Sequence, residues 1–140
     1  MKLLYGIFLL ALAASLPSCK KFIQQQEENA VLKIMTTGVW YVSGYTQNDS
    51  DITTSFSGYL FKFDANGKVT ATLNAASSTI GTWSANISAQ SISSDFPAAP
   101  DPLRELNETW KITDSGDNYV VANSSDTSNH TANILHLQKQ

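Results

Sequence analysis

The stretch YLFKFDANGKVTATLN, residues 59–74, sets the fold. Tyr59, Phe61 and Phe63 alternate with other residues, and so do Val69, Ala71 and Leu73. Side chains two apart share one face of a strand. Between the two runs stands Asp64-Ala65-Asn66-Gly67, whose Asn-Gly is a hairpin signal because it supplies positive φ angles. The expectation is two antiparallel strands, Phe56–Phe63 and Lys68–Asn74, each with one apolar face.

Working outward, the same period of two recurs. Val39–Thr46 precedes the hairpin. Ile80–Asn86, Gln90–Phe96, Glu108–Thr113, Tyr119–Asn123 and Thr131–Gln138 follow it. Turns such as Asp114–Asn118 are rich in Gly, Asp, Asn and Ser. The segment 95–102 carries three prolines, which remove ladder donors, so it reads as a loop with a helical turn at Leu103–Leu106. Eight short strands in meander order would leave two open edges and a wide apolar face. Closure into a barrel removes both.

Before the strands the period is helical. Ile23, Ala30, Val31, Ile34 and Met35 share one helix face, and Thr36-Thr37-Gly38 ends it. A packing helix that closes one end of the fold is preferred over a partner-binding helix.

The N-terminus is of another kind. Lys2 opens an apolar run, Leu3–Ala14, too short for a spanning helix of roughly 20 residues. Leu16-Pro17-Ser18-Cys19 then resembles a bacterial lipobox. That resemblance implies a signal peptide over residues 1–18, and Cys19 as the mature N-terminus bearing a diacylglycerol thioether and an N-acyl chain such as palmitate. Pro17 departs from the usual small residue. Cys19 is the only cysteine, so a disulfide within the chain is excluded. The rival reading is ordinary secretion with a free thiol. Several acyl chains anchor firmly where one binds only marginally. Residues 19–37 then make anchor, tether and capping helix, and residues 38–140 one domain.

The mature chain has 122 residues, with 8 basic groups against 12 acidic, a net −4. It lacks the basic footprint of a nucleic-acid binder. No metal or cofactor is expected. His130 and His136 stand too far apart on a strand to hold one ion, at ~3.3 Å per residue. Zinc, nucleophile-elbow and phosphate-loop motifs are absent from the sequence, and the expectation is a non-enzyme.

The ordered elements resemble the lipocalins, and more closely the small lipocalin-like lipoproteins of Bacteroidetes. Gly38-Val39-Trp40-Tyr41 matches the Gly-x-Trp-Tyr that opens the first lipocalin strand. Phe61–Gly67 matches an aromatic strand ending in Asp-x-x-Gly, and Gly81-Thr82-Trp83 a central Gly-x-Trp. There are departures. Gly116–Tyr119 only partly echoes the Thr-Asp-Tyr element. The late Arg that packs on the first-strand Trp is missing, and Lys139 is a weak substitute.

The resemblance implies an eight-stranded antiparallel all-β barrel with one N-terminal helix, in the bacterial envelope and on the outer membrane. Such a barrel is just wide enough to be filled by side chains or to hold one small ligand. Trp40, Val42, Phe61, Phe63, Val69, Leu73, Trp83, Ile92, Phe96, Trp110, Ile112 and Leu135 are the inward candidates. Two functions follow. In the first, a small apolar or amphiphilic ligand binds in the barrel mouth against Tyr59, Phe61, Trp83 and Trp110. In the second, the barrel is filled and loops 47–55, 74–79 and 97–106 recognise a protein or glycan. The three tryptophans are read first as core and second as ligand platforms.

Overall fold

The computed structural model describes residues 18–124 and 132–140, with side chains from residue 25 onward. Residues 1–17, all but the last of the expected signal peptide 1–18, lie outside the described residues, as do His130 and Thr131. The elements are α1 (Ser18–Thr36), β1 (Trp40–Gln47), β2 (Ser50–Asp51), β3 (Tyr59–Phe63), β4 (Lys68–Leu73), β5 (Ser77–Asn86), β6 (Ser91–Asp95), β7 (Thr109–Ser115), β8 (Tyr119–Ser124) and β9 (Ile134–Lys139). Single 3-10 turns stand at Thr53–Phe56 and Leu103–Leu106.

Eight strands form the expected closed barrel. The order runs β1-β3-β4-β5-β6-β7-β8-β9, all antiparallel, and β9 returns to β1. The closing ladder is long, from Trp40–Lys139 to Thr46–Ile134, with a bulge between Val42 and Gly44. β2 lies outside the ring and pairs only with the far end of β1.

The hairpin that sets the fold differs in detail from its reading. Of its turn residues only Gly67 has a positive φ, +86°. The Gly67 amide donates to Asp64 O at 3.1 Å, and the Asp64 amide to Lys68 O at 2.8 Å. This is a turn with a left-handed glycine at its end, not one with two positive φ angles. The expected strand Phe56–Phe63 is shorter. Gly58 has φ +83° and breaks the period, so Phe56 belongs to a 3-10 turn and pairing starts at Tyr59. Likewise Ala132 and Asn133 stand outside β9, which starts at Ile134, while β5 reaches back to Ser77.

Register gives the barrel two distinct ends. The first holds the start of β1, the β3–β4 turn and the end of β9. There α1 arrives, with Met35 buried and Val31, Leu32 and Ile34 packed on the core. Trp40 is fully buried, and its indole N–H donates to Met35 O at 2.9 Å. Lys139 Nζ lies 4.9 Å from the centre of the Trp40 ring, so a lysine does occupy the place expected of arginine. The opposite end carries loops 47–58, 74–76 and 96–108. It is plugged by Phe56, Phe96, Ala99, Leu103 and Leu106, all buried.

Ten of the twelve inward candidates are buried; Leu73 and Ile112 are only half-buried. Leu73 is the last residue of β4, and Ile112 stands beside the bulge that precedes Asp114 in β7. Gly81 is required by packing, since a Cβ there would come within 2.5 Å of Asp95 O.

Candidate functional site

The barrel interior is nearly full. One cavity of about 40 Å³ remains, and of its walls Ser94 alone is polar. Phe61, Phe63, Phe96 and Trp110 fill most of its surroundings. Drug-sized ligands occupy pockets of roughly 300–1,000 Å³. A cavity near 40 Å³ holds about one water's share of liquid volume, and an apolar one stays dry.

The four residues expected to bind a ligand do not converge on one site. Phe61 and Trp110 line the small cavity. Phe61 meets Phe96 edge-on at 6.4 Å, and Trp110 meets Tyr45 edge-on at 5.7 Å. Trp83 sits near the helix end, edge-on to Phe63 at 5.3 Å, with its indole N–H donating to Asp64 O at 2.9 Å. Both of its polar and apolar needs are met internally. Tyr59, half-buried, stacks on Phe61 at 6.2 Å and also lines a groove in the barrel wall. Cys19 lies in the first turn of α1, and its side chain is not among the described ones.

That groove has a volume of about 890 Å³. It follows from an unfinished seam. β1 and β3 pair at Trp40–Phe61 alone. In that register the next pairs would be Tyr41–Leu60 and Val42–Tyr59. The ladder does not form there, and all four residues line the groove. Two local features explain the divergence. β1 carries a bulge after Val42, and beyond it the Tyr45 amide donates to Thr53 Oγ1 at 2.9 Å while Tyr45 O accepts from the Ile52 amide at 2.8 Å, so that part of β1 is taken by the segment around the Thr53–Phe56 turn instead of β3. Phe56, Thr53, Thr54, Ser57, Gly58 and Gln140 complete the wall, so no charged residue lines it.

The rim opposite α1 gathers two of the expected recognition loops. Gln47 Nε2 donates to Glu105 Oε2. The Tyr45 hydroxyl donates to Glu105 O at 2.9 Å. Burial, with Glu108 and Glu105 nearby, pushes the Tyr45 phenol well above its usual range. A shallow groove of about 340 Å³ runs between Gln47, Ile52 and Ser55 on one loop and Asp101, Pro102 and Glu105 on the other. The third loop touches its neighbour through the Asn74 amide, which donates to Gly58 O at 2.9 Å. Among the described residues no cluster of three His, Cys, Asp or Glu could hold a metal, and no helix is long and apolar enough to cross a membrane. His136 is exposed on β9.

Sequence reasoning missed Tyr45, Phe56, Leu103, Leu106, Val120, Ala122 and Leu137 as core. Val120, Ala122 and Leu137 keep the period of two and were legible. Phe56, Leu103 and Leu106 sit in 3-10 turns, where no strand period points inward.

No protein-family profile matches the chain, and no curated protein does. Among solved structures, the barrel is similar to a DUF4847 family protein from Bacteroides vulgatus ATCC 8482. The TM-score is 0.56 at 15% sequence identity, over 79% of this chain and 99% of that one. This likeness is one of fold.

Proposed function

We propose that this protein is a lipid-anchored, non-catalytic interaction module of the bacterial envelope, whose outer wall and loop rim engage a partner. The carrying observation is the filled interior, about 40 Å³ of apolar space against an outer groove of about 890 Å³. Both barrel ends are plugged by their own side chains, so a ligand entering the barrel would have to displace a packed core. The lipocalin-type resemblance and the lipobox before Cys19 support the anchor. An anchor at Cys19 also fits the geometry, since α1 meets the end opposite the recognition loops. Those loops would then face away from the bilayer.

The second reading is a small apolar ligand held inside, favoured by a cavity wall that is aromatic and aliphatic except for Ser94. Native mass spectrometry of the full protein, extracted from its own membranes, separates the two. We expect one mass, that of the acylated chain, with no small molecule released on denaturation. A bound molecule lost on denaturation would overturn the interaction-module reading in favour of the ligand carrier.

A further inference from the structure

We propose that the open seam between β1 and β3 binds an extended, uncharged polypeptide segment by strand addition. The proposal rests on the interaction-module reading and names its site and partner class.

The argument begins with the main chain. In an antiparallel ladder, residues alternate in the neighbour to which their N–H and C=O point. On β3 the Asp64 amide bonds to Lys68 O on β4. Even-numbered residues therefore face β4, and Phe61 and Tyr59 face β1. On β1 Val39 O accepts from the Gln140 amide, which follows β9. Val39 and Tyr41 therefore face β9, and Trp40 and Val42 face β3. Trp40 and Phe61 use these edges on one another. Val42 and Tyr59, the next residues on those edges, have parted, and each presents its edge to the groove. An exposed strand edge is a template for another chain.

The side chains narrow the partner. Val42 is buried on the inner side of the wall and Phe56 beside it, with Tyr59 half-buried. These ask for an apolar residue pointing in. Tyr41 and Leu60 stand on the outer side, half-buried, and accept a neighbour pointing out. Serine, threonine and glutamine supply the remaining polar contacts, and no charged side chain lines the groove to pair with one on the partner. The fitting partner is an extended segment with alternate apolar residues and no charges in the stretch that enters.

The test uses the full-length protein in detergent and a displayed library of random ten-residue peptides. Peptides enriched on the native protein are expected to carry uncharged, alternating stretches. Their binding should fail on Leu60→Arg, which places a charge on the groove wall but leaves the barrel ladders intact. A second, milder variant, Tyr41→Ser, should weaken the same peptides. For one enriched peptide, N-methylation at alternate amides should cost about tenfold per blocked amide, while methylation at the intervening ones costs little. Hydrogen exchange at the Val42 and Tyr59 amides should slow when the peptide binds. Peptides that bind Leu60→Arg equally well, or that tolerate N-methylation at every position, would overturn the seam as the site. So would a library with no enriched peptide. Each of these results leaves the interaction-module reading standing, because that reading falls only if a small molecule is released from the barrel.

Discussion

Phe61→Ala is the most informative single substitution, because a filled barrel and a hollow one respond to it differently. Phe61 is 2% exposed. It stacks on Tyr59, meets Phe96 edge-on and borders the 40 Å³ cavity. In a packed core the deletion removes the ring's burial and leaves a void the neighbours cannot close. Such truncations of phenylalanine cost about 3–5 kcal/mol. The loss of two aromatic pairs places this one in the upper half of that span. For a domain of this size the melting temperature should fall by roughly 4 °C for each kcal/mol, or about 16–20 °C. Were Phe61 the wall of an open, occupied calyx, its truncation would cost about 1 kcal/mol, the centre of the range for point mutations. The assay is urea unfolding followed by tryptophan fluorescence, with the slope on urea checked for constancy. A second readout is independent of stability. The enlarged apolar void should bind benzene and recover part of the lost melting temperature. A loss below about 1.5 kcal/mol with no benzene effect would refute the filled-core reasoning.

Three further outcomes are expected. Trp40→Phe leaves Met35 O without its donor in a buried site, and removes the larger ring from beneath Lys139. It should cost about 2–4 kcal/mol, summing an orphaned buried acceptor and partial loss of packing. Proteolysis within α1 should accelerate, and unchanged protection of α1 would count against its role as the plug. The Tyr45 phenol is raised in the folded state above its ordinary value of 10.0, chiefly by burial and then by Glu108 and Glu105. Above that pH the unfolded chain loses the proton first, so the folded state binds more protons and stability falls as pH rises. Tyr45→Phe should flatten the fall of stability from about pH 10 upward, read by thermal melts across that range; an unchanged slope would assign the alkaline loss elsewhere. Finally, Cys19→Ala should abolish labelling by a palmitate analogue and move the protein from the membrane to the soluble fraction. Unchanged fractionation would sink the lipid anchor.

Much of the barrel is legible because period-two strands announce which side chains share a face. Val69 and Ala71 are inward and buried, as their alternation says. The plug at the rim is not legible. Leu103 and Leu106 lie three apart in a 3-10 turn after a proline-rich loop, and only closure of the barrel brings them over its mouth. The four ligand-site expectations show the same limit. Each aromatic was visible, but alternation cannot say whether aromatics from different strands leave a gap or fill it. Phe61 and Phe96 meet edge-on and fill it, while Trp83 satisfies its indole on the β3–β4 turn.

The sequence by itself determined an all-β chain with a preceding helix, its strand order and its one cysteine next to a lipobox-like run. These are local properties, set by side-chain period, turn residues and spacing. The tertiary structure alone decided how full the interior is and where the β1–β3 ladder stops. Both depend on distances between segments far apart in sequence. The bulge after Val42 and the turn at Thr53–Phe56 each read as small local irregularities. Only when β9 takes one edge of β1 do they leave the other edge unpaired at Val42, between its contacts with β3 and β2.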